Sequence, residues 1–212
     1  MADFHDAASK SDVSLRRRRT TLAGHTGDEG SARTALNDPD AAVRAAAIGA
    51  LARLGHLDID SLRAALSDPS PEVRRRATEV AAVPAVGEAV ADQLVGLLSD
   101  PDALVVETVA ATLGELPARP HVVDALCGVA LGHDEPLCRE SAVAALGALG
   151  DPAGLPAILK ATGDRPAIRR RAVIALAPFE GPEIDAALNR ALEDRDWQVR
   201  QAAEDQLGRE AN

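Results

Sequence analysis

Apolar residues fall along the chain in two kinds of short run. Val43, Ala47, Leu51 and Leu54 are spaced i, i+4, i+8 and i+11, which places them on one face of a 3.6-residue helix. The same face recurs as Cys138, Ala142, Leu146 and Leu149. A second kind of run lies upstream of such a segment, as in Val90, Leu94, Leu97 and Leu98. Gly or Pro punctuates the runs at Gly55, Pro84, Pro117, Gly150 and Gly181. Alternating β-branched stretches are absent, so the pattern predicts helix, short turn and helix.

This unit repeats. The pattern D-P-x-x-x-V-R-x-x-A begins at Asp38 and Asp68, and looser copies begin at Asp100, His133, Gly163 and Asp194, at spacings of 30, 32, 33, 30 and 31 residues. Asp38, Asp68 and Asp100 are expected to cap the helices that follow, with Pro39, Pro69 and Pro101 at the first helical position. One such hairpin cannot bury its apolar face alone, whereas stacked copies can. The expected fold is all-α, an α-solenoid of about six helical hairpins.

The repeat resembles the HEAT repeat, in the short bacterial form known as the PBS-lyase HEAT-like repeat. The resemblance covers residues 28–208. Residues 1–27 form a basic N-terminal segment, read as a capping helix or half repeat, and 209–212 a C-terminal tail. In this family the Asp and the Arg six residues later form a ladder between neighbouring repeats. The resemblance therefore implies ladder acids at Asp38, Asp68, Asp100 and Asp194, and ladder bases at Arg44, Arg74, Arg139, Arg169 and Arg200. Val106 takes the Arg place in the third repeat, so one rung is missing. In the fourth and fifth repeats the capping acids are expected at Asp134 and Asp164, five residues before the Arg. The resemblance also implies that second helices line a concave face. The two positions after each ladder base would then be partly exposed: Ala45/Ala46, Arg75/Arg76, Glu107/Thr108, Glu140/Ser141, Arg170/Arg171 and Gln201/Ala202.

Composition sharpens this picture. Apolar residues make up 46% of the 212, yet the aromatics are only Phe4, Phe179 and Trp197. Ala, Leu and Val must fill the core, which favours close helix–helix approach. Trp197 is expected to pack near the last helix. The net charge is -10, and residues 81–140 hold most of it, with 10 acidic against 2 basic groups. An acidic chain is repelled by nucleic acid unless a local basic stripe binds it. Arg outnumbers Lys 21 to 2, which suits a GC-rich genome. Cys127 and Cys138 read as buried thiols in a reducing compartment, although a disulfide across one hairpin is sterically conceivable. No apolar run is long enough to span a bilayer and the N-terminus lacks an apolar signal core, so a cytoplasmic monomer is expected.

The candidate chemistry is recognition. Arg75, Arg76, Arg170 and Arg171 read either as a carboxylate or phosphate clamp or as a solvated face. With Glu107 and Glu140 between them, they suit a protein or peptide partner of mixed charge. The alternative is a nucleic-acid partner, with Arg16, Arg17, Arg18 and Arg19 adding phosphate contacts. Alkylpurine DNA glycosylases resemble the chain only at the level of fold; they need aromatic residues and a catalytic carboxylate at the groove, whereas Trp197 is the only Trp here and Glu107 and Glu140 interrupt the basic positions. The HEAT-like deoxyhypusine hydroxylases bind iron through His-Glu pairs, and none of His5, His25, His56, His121 and His133 is followed by Glu. The segment GHTGDEG, residues 24–30, lacks the P-loop order and reads as a turn. Bilin lyases share the repeat type, but nothing beyond the repeat points to a bilin. The expectation is a non-catalytic scaffold with no metal and no cofactor.

Overall fold

A computed structural model describes residues 2–210, and the side chains of 11–208. Residues 211 and 212, the end of the expected tail, lie outside the described residues. The helices are α1 (Ala2–Thr26), α2 (Glu29–Ala35), α3 (Ala41–Leu54), α4 (Ile59–Leu66), α5 (Pro71–Val80), α6 (Pro84–Gly87) and α7 (Ala91–Leu97). They continue as α8 (Ala103–Gly114), α9 (Pro120–Gly132), α10 (Pro136–Leu149), α11 (Leu155–Ala161), α12 (Pro166–Ala175), α13 (Pro182–Leu192) and α14 (Trp197–Glu210). No strand occurs among the described residues. The chain forms two compact units, Met1–Gln93 and Leu94–Asn212.

In the first unit α1 packs on α3 and α3 on α5, with α2 behind α3 and α4 behind α5. In the second, α8 packs on α10, α10 on α12 and α12 on α14, while α9 packs on α11. The second helices thus form one layer in each unit and the first helices another. One i, i+4, i+8 register recurs in the core. Val43, Ala47 and Leu51 of α3 are buried, as are Val105, Val109 and Leu113 of α8, Cys138, Ala142 and Leu146 of α10, and Ile168 and Ala172 of α12 with Leu176 at its C-terminal cap. Small residues let these helices come close. A Cβ placed on Gly114 would stand 2.9 Å from the Ala145 Cα, and one on Gly147 would stand 2.7 Å from the Ala175 Cα. Gly24 meets Ala50 of α3 in the same register, at 2.7 Å. Gly55 and Gly150 end α3 and α10 in the left-handed conformation, at φ 72° and 61°.

The helix starts lie two residues beyond the expected caps. Asp38, Asp68, Asp100 and Asp194 each accept a hydrogen bond from the backbone N–H two residues on, at Asp40, Ser70, Asp102 and Asp196. That closes an Asx turn rather than a helix. The capping residues are Asp40, which accepts from the Ala42 N–H, and Asp102, which accepts from those of Leu104 and Val105. Pro71, Pro136 and Pro166 occupy the first helical position, in place of Pro39, Pro69 and Pro101. The turn holds each carboxylate outside the helix axis, where a neighbouring hairpin can reach it.

Candidate partner-binding faces

The charges divide into two sets by the direction they face. The first set lies in the turns. Arg44 donates through Nε and Nη2 to Asp68 at 2.9 and 2.8 Å, and through Nη1 to the Asp38 carbonyl at 2.9 Å. Arg139 makes the same fork to Asp164 at 2.8 and 3.0 Å, and Arg169 to Asp194 at 2.8 and 2.7 Å. Each arginine thus holds its own turn by a carbonyl and the next hairpin by a carboxylate, a bidentate geometry only guanidinium provides. Arg74 donates to the carbonyls of Asp68 and Pro69, and Arg200 to that of Asp194.

These pairs set the carboxyl acidities. The forks from Arg139 and Arg169 hold Asp164 and Asp194 below the usual carboxylate range, against a smaller upward push from burial. At Asp68 burial pushes upward most strongly, and the combined bonds from Arg44 and the Ser70 N–H outweigh it. Asp58 is lowered to about 2, first by the Ser61 N–H that it caps and then by Arg33.

Three expectations change here. Arg16, read as a phosphate contact, donates to Asp38 at 3.0 Å and also pairs with Asp12, so its charge is met within the fold. Arg17, Arg18 and Arg19 are exposed. In the fourth repeat the turn is closed by His133, not Asp134: its Nδ1 accepts the Glu135 N–H at 3.1 Å, the role Asp plays elsewhere. His133 stands where the acid facing Val106 would be, and Val106 is fully buried. Asp164 does pair with an arginine despite its shorter spacing, because its Oδ1 accepts from the adjacent Arg165 N–H.

The second set lies along the second helices. Arg75 and Arg76 are half-buried, and both turn to Glu79, at 3.9 and 2.8 Å. The Arg76 guanidinium also lies flat against α3, where a Cβ on Gly49 would meet its Nη2 at 2.5 Å. In the second unit Arg171 lies 3.7 Å from Glu140, and the Glu107 carbonyl accepts from the Ser141 hydroxyl. Arg170 has no carboxylate within ion-pair distance among the described residues, and its Nε is shielded from solvent without an acceptor. Ala45 and Ala202, expected to be partly exposed, are buried.

Trp197 does not pack inside. It is 64% exposed, because it takes the first position of α14, where the other hairpins carry Pro or Ala. Beside it Ile174 is 42% exposed. Ile174 stands where Glu79 stands in the second repeat, five residues after the ladder base. That exchange explains why Arg75 and Arg76 are neutralised while Arg170 is not. Arg170, Ile174, Trp197 and Gln201 line a cleft of about 350 Å³ between α12 and α14.

The cysteines are both free. Cys138 is buried with its thiol toward the Ala103 carbonyl of α8, whereas Cys127 is half-buried with its thiol toward the Ala153 carbonyl. They face different neighbours, which corrects the expectation of two buried thiols. No helix among the described residues is long and apolar enough to cross a membrane.

The family model for HEAT repeats matches residues 2–82, 59–146 and 91–177. No curated protein matches the sequence. Among solved structures, YibA of E. coli is similar with a TM-score of 0.67 at 20% identity, over 90% of this chain and 74% of that one. The complex of CpcE and CpcF of phycocyanin lyase from Nostoc sp. PCC7120 is similar at 0.60 and 24% identity, over 85% and 76%. A designed armadillo repeat protein in complex with the peptide (KR)4 is similar at 0.60 and 20%, over 82% and 96%. At these identities the likeness is one of fold. Together with the repeated hairpins and the family match, it shows that this chain is an all-α repeat solenoid and belongs to the HEAT-repeat family.

Proposed function

We propose that the chain is a non-catalytic scaffold that binds a protein or peptide partner on the faces of its second helices. The observation that carries this is the division of charge. Ladder arginines such as Arg44, Arg139 and Arg169 are spent on neighbouring turns, while the next positions present Arg75 on the first unit and a mixed face of Arg171, Glu107 and Glu140 on the second. A mixed face selects a partner of complementary mixed charge and disfavours a uniform polyanion. The similar designed protein is in complex with a peptide, which is consistent with this use of the fold.

The test is capture of partners from the native lysate, with and without nuclease, by the wild-type chain and by a triple variant Arg75→Gln, Arg170→Gln, Arg171→Gln. A defined protein captured in both nuclease arms and lost in the variant is the expected result. Capture that disappears with nuclease would assign the arginines to phosphate instead, and a steep salt dependence would accompany it. The variant leaves every ladder arginine in place, so its melting temperature is expected to change by only a few degrees.

A further inference from the structure

The cleft between α12 and α14 holds a half-buried arginine that differs from Arg75, Arg76 and Arg171 in having no ion-pair partner among the described residues. Arg75 and Arg76 share Glu79, and Arg171 has Glu140, but Arg170 has no carboxylate within reach among the described residues. Its Nε is withdrawn from solvent and lacks an acceptor. That nitrogen is closed to an arriving carboxylate, which would instead meet the guanidinium charge through Nη1 and Nη2. Two of the amides at the cleft are occupied. Gln201 donates to Asp205 at 3.0 Å, and Gln206 reaches across to the Ile174 carbonyl at 3.3 Å.

The apolar side of the cleft is equally specific. Trp197 and Ile174 are two of the few large apolar side chains left exposed. They stand beside the unmet cation, in a cleft that admits side chains rather than a whole helix. A ligand that is only anionic would leave the indole in water, and one that is only apolar would leave Arg170 unpaired.

The geometry points to this cleft as the seat of an acidic side chain of a partner peptide, flanked by an aliphatic residue. Arg170 takes the carboxylate, and Trp197 and Ile174 cover the aliphatic neighbour. Asp205 sits at the same cleft and repels a second acid, which restricts the carboxylate to the Arg170 side. The inference rests on the binding function proposed above and assigns its anchor.

Trp197 is the only Trp of the chain, so its emission reports this cleft alone. The probe is a capped hexapeptide with one acid, Gly-Gly-Leu-Glu-Leu-Gly. It is compared with counterparts carrying Gln or Lys for Glu, and with N-acetylglutamate as a free carboxylate. The acidic peptide is expected to give a saturable shift of Trp197 emission to shorter wavelength. Replacing Glu by Gln, or Arg170→Gln in the protein, is expected to weaken binding about ten-fold or more. Ile174→Ser, an uncharged change at an exposed position that removes the apolar wall and places no carboxylate beside Arg170, is expected to weaken binding several-fold; Arg190→Gln in α13 leaves it unchanged. The inference is overturned if the acidic peptide gives no saturable shift, if the Lys peptide binds as well, or if Arg170→Gln has no effect. N-acetylglutamate binding as tightly as the hexapeptide would overturn the peptide assignment in favour of a small carboxylate. A wild-type chain that captures its partner from lysate while this peptide leaves Trp197 unchanged would refute the cleft and leave the binding function standing.

Discussion

Arg169 shows what one side chain does in this architecture. It is only 8% exposed, forks onto Asp194 and holds the Asp164 carbonyl with its remaining nitrogen. Truncation would strand the Asp194 carboxylate, half-buried, with little beyond the Asp196 N–H. Arg169→Ala is therefore expected to lower unfolding stability by roughly 1–3 kcal/mol in a denaturant titration. Arg171→Ala, which loses a longer and more exposed pair with Glu140, should cost less than about 1 kcal/mol. Equal losses would contradict the division of charge. Residues 169–171 are chemically identical in the sequence, and the spacing from Asp194 singles out the first of them. The second and third are separated only by what stands a turn away: Glu140 for Arg171, and Ile174 and Trp197 around Arg170.

At the scale of elements, close approach rather than bulk holds the second helices together. The near absence of aromatic residues pointed this way, and Gly114 against Ala145 and Gly147 against Ala175 give it a location. Gly147→Val would drive a branched side chain into the α12 backbone, and helices cannot yield without disturbing their neighbours. The expected loss is roughly 1–3 kcal/mol or more, read as a lowered melting temperature by circular dichroism with helix content retained at low temperature. Gly128, on α9, has open space beside it, so Gly128→Ala should be neutral or slightly stabilising. Hairpin number and order were legible because a 3.6-residue period and a fixed repeat reinforce each other. Helix starts were not, because an Asp followed by Pro serves equally as a cap or as an Asx turn. Only the bond from the Asp40 N–H to Asp38 decides between them.

Across the whole molecule the ladder acids link stability to pH. Asp38, Asp68, Asp164 and Asp194 all bind protons less readily when folded than an ordinary carboxyl does. On acidification the unfolded chain therefore takes up protons first, near pH ~4, and folding loses stability as pH falls further through the depressed values. Above about pH 5 this contribution is fully present. The melting temperature is expected to be nearly level from neutral pH to about pH 5 and to fall below ~4, less steeply in Arg169→Ala. A profile as steep in that variant as in the wild type would show that its pair adds nothing to acid sensitivity. The fold class was readable from the sequence as a whole, while the unmet cation at Arg170 was not, since it depends on the absence of a neighbour that only packing reveals.

Because each rung takes its arginine from one hairpin and its carboxylate from the next, the natural unit of exchange runs from acid to acid rather than from helix to helix. Excising residues 164–193 would bring Arg139 to Asp194, a carboxylate of the same kind as the one removed, and the series would close again. A cut that takes an acid without the arginine that follows it, or the arginine without the acid, would leave one group unpaired. Lengthening or shortening such a chain by whole periods is thus a change in count, whereas any other step is a change in chemistry.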